Sequence, residues 1–250
     1  MPRLFLINLQ IKFHLTILSY LCLVNFKELS TQKRILLVLA SKNEVPFSLS
    51  DGAQSLYTIS LNDIYVDVLI SGIGAVPTIF NLCNVANNYD FIVNAGIAGS
   101  YNLDIPLGSV VLVSQDSLAD YGIDSNGNYV HIDETQFSNP SQPLRYLTCP
   151  YVNRFNKVFP EVYGITLSTV SGSLERIRSL QEKWNADIET MESAAVFYYC
   201  LNRNIPFIGV RAISNYVETR NRNAWKVELA VKNLWNALPD IVNTIILNDF

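Results

Sequence analysis

Residues 34–40, Arg34-Ile35-Leu36-Leu37-Val38-Leu39-Ala40, form an unbroken apolar run that gives way to the polar turn Ser41-Lys42-Asn43-Glu44. A continuous aliphatic run, rather than an alternating one, is what a strand buried on both faces requires, and such strands belong to parallel sheets covered by helices. The chain repeats this device. Two β-like runs occupy 57–61 and 64–70, then Ser71-Gly72-Ile73-Gly74 opens a helical pattern over 76–86. Phe91-Ile92-Val93-Asn94 reads as a short buried strand ending in the small-residue turn Ala95-Gly96-Ile97-Ala98-Gly99, and 110–113 continues the sheet. Residues 124–150, rich in Asn, Ser, Pro and Asp, read as a loop with a short hairpin around Asn126-Gly127-Asn128. Further on, 165–170 and 207–213 read as strands, 192–202 as a helix, and 223–247 as a long helix with a break expected near Pro239. Strands alternating with helices predict a three-layer α/β sandwich about a central, mostly parallel or mixed sheet.

Composition narrows the function. With 49% hydrophobic residues, 250 residues suffice for one large buried core. The formal net charge of −4 argues against a nucleic-acid partner, which would need a concentrated basic face. The four cysteines, Cys22, Cys83, Cys149 and Cys200, are widely spaced, and the two histidines, His14 and His131, are far apart. This pattern suits a reducing, cytoplasmic setting and predicts neither a disulfide framework nor a protein-bound metal. Residues 1–32 carry an apolar run at 15–24 preceded by Arg3, Lys12 and His14. They read as a leader or an extension from a start assigned too early, with export or anchoring as the alternative, since the run is short of the ~20 residues of a membrane helix. No membrane partner is expected, and residues 33–250 are expected to form one domain.

Three constellations carry chemistry. The Gly72-Ile73-Gly74 turn lacks the third glycine of a dinucleotide fingerprint, because Pro77 stands there. Its backbone can still approach a ligand closely. The turn at 95–99 follows a buried strand, and open α/β sheets bind ligands at the carboxyl ends of their strands. Finally, Glu189-Thr190-Met191-Glu192-Ser193-Ala194-Ala195 opens a helix, and Val210-Arg211-Ala212-Ile213-Ser214-Asn215-Tyr216 delivers Arg, Ser and Asn from a strand. Each of these polar residues has a structural reading when taken singly, Glu192 as a carboxylate complementing a helix N-terminus for example. Together they predict a site.

These segments, with Asn43-Glu44-Val45 and the glycine turns in matching order, resemble those of the nucleoside phosphorylase and nucleosidase superfamily over residues 33–247. The resemblance implies a phosphorylase/hydrolase-like fold, no cofactor, a small-molecule purine nucleoside as partner, and self-association into a homo-oligomer. It implies that Glu44 activates the attacking water and that Asn215 faces the purine. It assigns substrate binding to Ile97, Ala98, Gly99, Thr190, Met191, Glu192, Arg211 and Ser214: Met191 packs on the sugar, Glu192 binds its hydroxyls, and Arg211 and Ser214 hold Asn215 in place. Two departures matter. Adenine-releasing members have Asp where this chain has Asn215, and Glu where it has Thr190. An Asn amide offers donors to the two acceptors, N7 and O6, of a 6-oxopurine. Related phosphorylases place Arg and Ser at the positions of Asn94 and Ile97, so water is the expected nucleophile here. The alternatives are an adenine-releasing nucleosidase, a purine nucleoside phosphorylase, and a nucleoside-binding protein, the last opposed by the presence of both Glu44 and Glu192.

Overall fold

The computed structural model describes residues 33–47, 55–85, 88–125, 128–155, 158–219 and 221–250. These fall in one compact unit, Arg34–Phe250, apart from Lys33; the leader reading of residues 1–32 lies outside the described residues. The architecture is a mixed α/β sandwich. Strands are β1 (Ile35–Leu39), β2 (Leu56–Leu61), β3 (Ile64–Ile70), β4 (Phe91–Ser100), β5 (Val110–Leu118), β6 (Gly122–Ser125), β7 (Asn128–His131), β8 (Leu147–Thr148), β9 (Glu161–Thr166), β10 (Ile188–Thr190) and β11 (Phe207–Tyr216). Helices are α1 (Ala75–Val85), α2 (Leu174–Trp184), α3 (Ser193–Arg203) and α4 (Val227–Leu247). A 3₁₀ turn, Lys42–Glu44, follows β1.

The main sheet runs β10-β9-β5-β11-β4-β1-β3-β2, with β8 on β5. All five residues of β1 are buried between β3 and β4, both parallel to it, as the aliphatic run requires. Because β10 bonds β4 as well as β9, strands β4, β11, β5, β9 and β10 close into a ring. The register of β11 against β4 carries one extra residue: Ile213 faces Ala98 and Asn215 faces Gly99, leaving Ser214 as a bulge.

Several expectations need correction. Residues 95–99 are not a turn: β4 runs on through them to Ser100, because β10 and β11 pair with its far end and satisfy its backbone. The strand expected at 165–170 lies at Glu161–Thr166 instead, where it pairs in parallel with β5 and β10. Helix α2 was not expected. Its sequence is largely polar and buries only Ile177 and Trp184, but Ser173 caps its start and Asn185, at φ 48°, ends it in the left-handed conformation. Helix α4 runs unbroken through Pro239. The hairpin β6–β7 is present, with its two turn residues outside the described set.

Candidate active site

A cleft of about 410 Å³ opens where the carboxyl ends of β1, β4 and β11 meet the N-terminus of α3. Glu44, Ile97, Ala98, Gly99, Thr190, Met191, Glu192, Ser214 and Asn215 all line it, so the structure brings together residues drawn from four separate segments.

Glu44 is delivered by the 3₁₀ turn that ends β1. The residue is 8% exposed. Oε2 accepts from the backbone N–H groups of Ala40 (2.8 Å) and Ser41 (3.2 Å), and Oε1 accepts from Ile97 N–H (3.1 Å). The indole of Trp235, on α4, donates to the Glu44 carbonyl at 2.6 Å and fixes the turn from below. Only glycine fits opposite: a Cβ on Gly96 would lie 2.7 Å from Oε1. Burial pushes the Glu44 carboxyl above its ordinary value, against the pull of the Ile97 N–H and of Arg211.

Glu192 sits at the N-cap of α3, where the helix dipole favours a negative charge. Its Oε1 accepts from Gly74 N–H at 2.9 Å. Gly74 holds a φ of +96°, which is why that turn needs glycine. The Gly72–Gly74 turn therefore presents its backbone to a protein carboxylate. Burial raises the Glu192 carboxyl, Gly74 N–H and Arg211 lower it, and neighbouring Glu44 raises it again.

Arg211 is not on the cleft wall. It is 1% exposed and lies beneath the two carboxylates. Nη1 donates to the carbonyls of Asn94 (2.8 Å) and Val210 (2.9 Å), and Nη2 donates to Asn94 Oδ1 and to Ser193 Oγ (2.7 Å). Burial pulls its pKa down, whereas Glu192, Glu44 and Asp116 pull it up; a guanidinium remains charged in such a setting. The expectation that Arg211 holds Asn215 in place is not met: its bonds go to Asn94 and Ser193. Ser214 does meet Asn215, its hydroxyl lying 2.8 Å from Oδ1 and 3.2 Å from the Ala98 carbonyl. The Asn215 amide also donates to the Tyr216 carbonyl at 3.0 Å, leaving one N–H for a ligand rather than two.

Thr190 lines the cleft, with its hydroxyl 3.1 Å from that of Thr166. Thr166 donates in turn to Asp116, a buried carboxyl under Arg211. Sequence reasoning assigned no role to Asp116, Trp235, Tyr101 or Glu189. Of these, Glu189 alone carried a signal, since it adjoins the Thr190-Met191-Glu192 segment. Among the described residues, no group of three His, Cys, Asp or Glu could hold a metal, and no helix is long and apolar enough to cross a membrane.

The sandwich and this cleft are those of a family of nucleoside-cleaving enzymes: the phosphorylase superfamily matches residues 29–246, and the chain belongs to it. Among curated relatives, futalosine hydrolase of Streptomyces coelicolor is 29% identical over 153 residues, 60% of this chain and 64% of that protein, just under two thirds of its length. Futalosine hydrolase of Acidothermus cellulolyticus is 26% identical, covering 84% of this chain and 89% of that protein. The 5′-methylthioadenosine/S-adenosylhomocysteine nucleosidase of Buchnera aphidicola is 24% identical, covering 73% and 80%. The solved structure of futalosine hydrolase from Helicobacter pylori shares the fold, with a TM-score of 0.69 at 17% identity over 85% of this chain and 98% of that one.

Proposed function

We propose that this chain is an N-glycosidase that hydrolyses futalosine, releasing hypoxanthine and leaving dehypoxanthine futalosine. The observation that carries the hydrolytic reading is the Glu44 carboxylate: it is buried, faces the cleft, has a raised pKa, and engages the Ile97 N–H at 3.1 Å. A phosphate nucleophile would need that N–H and would meet the Glu44 charge. Water does not need that N–H and gains from the charge, because a carboxylate of raised pKa is a suitable base for it.

In this reading Glu44 takes a proton from water as its oxygen attacks C1′ of the ribose. The bond to N9 breaks with its electrons moving into the purine. Glu192, held by Gly74 N–H, accepts from the ribose hydroxyls and stabilises the positive charge developing on the sugar. Met191 packs against the sugar. Arg211 acts from beneath as a positioning residue, keeping two neighbouring carboxylates compatible. Asn215, oriented by Ser214, turns its free N–H to the two acceptors N7 and O6 of the departing base. Ile97, Ala98, Gly99 and Thr190 complete the wall. No cofactor enters this scheme, and a homo-oligomer in the cytoplasm is the expected setting.

The curated relatives divide between futalosine and methylthioadenosine hydrolysis. Asn215, with its amide donor, favours the 6-oxopurine. The deciding experiment incubates the protein with futalosine, methylthioadenosine and inosine, with and without phosphate, and identifies the released base by chromatography. Release of hypoxanthine from futalosine without phosphate is expected. Adenine as the preferred product, or a requirement for phosphate, overturns the assignment.

A further inference from the structure

We propose that Glu189 reads the six-membered edge of the base, accepting the N1–H of a 6-oxopurine beside the Asn215 amide. The inference rests on the reading of the cleft as a purine nucleoside site.

Glu189 on β10 pairs with Gly99 on β4, and Asn215 on β11 pairs with the same Gly99 from the other side. Residues in register on neighbouring strands send their side chains to one face of the sheet. Glu189 and Asn215 thus flank a position that has no side chain. A Cβ on Gly99 would stand 3.1 Å from Asn215 Nδ2 and 3.5 Å from Glu189 Cγ, and all three residues line the cleft. The row Glu189–Gly99–Asn215 is a slot walled by an acceptor and a donor.

Glu189 is 6% exposed. Its Oε2 accepts from the Tyr101 hydroxyl at 2.6 Å and its Oε1 from Ser171 N–H at 3.1 Å. Each oxygen has one protein donor, and a carboxylate has room for about four. Among the described residues no Lys, Arg or His forms an ion pair with it. A buried carboxylate without a counter-ion is expensive unless further donors satisfy it. A 6-oxopurine supplies one: along its edge stand the acceptors N7 and O6, then the donor N1–H. A 6-aminopurine reverses the last two, presenting an N1 lone pair to the carboxylate. Asn215 and Glu189 together match the first order and oppose the second. Asn215 alone discriminates weakly, with one free N–H.

The competing role for Glu189 is to anchor Tyr101 and the Ser171 loop. Glu189→Gln, Tyr101→Phe and wild type separate the two. The readouts are inhibition constants for free hypoxanthine and adenine, and kcat/KM for futalosine and its 6-amino analogue. A site built around a hydrogen bond can discriminate by up to ~10⁴-fold, and one exchanged atom is expected to move the 6-oxo to 6-amino ratio by about 10–100-fold. Glu189→Gln should lower that ratio by this factor, while Tyr101→Phe, which leaves the carboxylate in place, should preserve it. An unchanged ratio in Glu189→Gln, or the same shift in both variants, overturns the proposal. Should Glu189→Gln fail to fold, wild type alone decides: 1-methylhypoxanthine, which lacks the N1–H, should bind at least about 10-fold more weakly than hypoxanthine, and equal binding overturns it. Free-base binding is read apart from turnover. A wild type that leaves futalosine intact yet prefers hypoxanthine to adenine, with the preference lowered in Glu189→Gln, overturns the futalosine reading and upholds Glu189. Futalosine cleavage with an unmoved base ratio overturns Glu189 alone.

Discussion

The Glu44 end and the Asn215 end of the cleft are held by different means. At the first, the donors are main-chain: Ala40, Ser41 and Ile97 N–H on Glu44, Gly74 N–H on Glu192, with the Arg211 guanidinium below. At the second, side chains share the work with the main chain: the Ser214 hydroxyl and the Tyr216 carbonyl hold Asn215, and the Tyr101 phenol and Ser171 N–H hold Glu189. The two ends even use opposite faces of β4. Gly96, which makes room for Glu44, and Gly99, which opens the slot between Glu189 and Asn215, are three residues apart. Backbone donors are fixed by the fold whatever residues supply them, so the first end suits a step common to a family of reactions. Side-chain anchors can be exchanged one at a time, so the second end suits the choice of base.

That contrast can be broken most sharply at Glu44. Glu44→Gln should fold with an unchanged thermal midpoint to within a few degrees, and lose about 10²–10⁴-fold in kcat on futalosine and its 6-amino analogue alike. Near-normal turnover would remove the water-activating role. Wild-type kcat/KM should fall on the acid side with a midpoint above the ordinary carboxylate range, because burial raises Glu44 and the base works ionised. Glu192→Gln should cost about 10–100-fold in kcat/KM, the worth of one charge-assisted hydrogen bond, again without altering the choice of base. A lowered melting temperature with unchanged kinetics would make Glu192 structural. Asn215→Asp should do the reverse, moving the 6-oxo to 6-amino ratio by about 10-fold or more toward the amino compound and changing the summed rate less. A ratio that stays put would dissolve the distinction between the ends.

An effect outside both ends concerns stability. Asp116, buried beneath Arg211 with Oδ2 lacking a partner among the described residues, has its carboxyl pushed up to about 7 by burial, from 3.8. The folded state therefore holds a proton that the unfolded chain releases near pH 4. This contribution is present below that value and is lost as pH rises through the window from about 4 to about 7. Between about pH 5.5 and about pH 7.5 it removes about 2 kcal/mol. Asp116→Asn should flatten this decline in denaturant titrations at the two pH values. An undiminished slope would assign the titration elsewhere.

At the Glu44 end, Glu192 carries a local signal at the start of an apolar helix, whereas Glu44 lies in the turn after an all-aliphatic strand and was singled out by the family resemblance. The Asn215 end was less legible. Glu189 acquires its place only when β10 pairs with Gly99, a contact between residues ninety apart in the chain that no local pattern announces. Arg211 was legible as a site residue but not as a buried one. Helix α2 escaped although Leu174, Ile177, Leu180 and Trp184 recur at helical spacing, because this narrow stripe is set in a largely polar segment that follows a loop-like stretch. The end of β4 was misread because Ala and Gly suit turns, and only tertiary pairing tells a small-residue strand from a bend.

The bulge at Ser214 bears on how this site can change over generations. Arg211 and Asn215 are four apart and in a regular strand would point the same way; the extra residue turns Asn215 to the side of Gly99, opposite Arg211. Point substitutions along β11 can retune the base slot while leaving this parity intact. Loss of the Ser214 codon would make the strand regular and still leave Asn215 opposite Gly99, but it would remove the hydroxyl that orients the amide. Loss of a residue between Arg211 and Ile213 with the bulge retained would instead bring Asn215 level with Ala98, on the face of the buried guanidinium. A lineage that shortens this strand can therefore do so at one residue without reversing the slot.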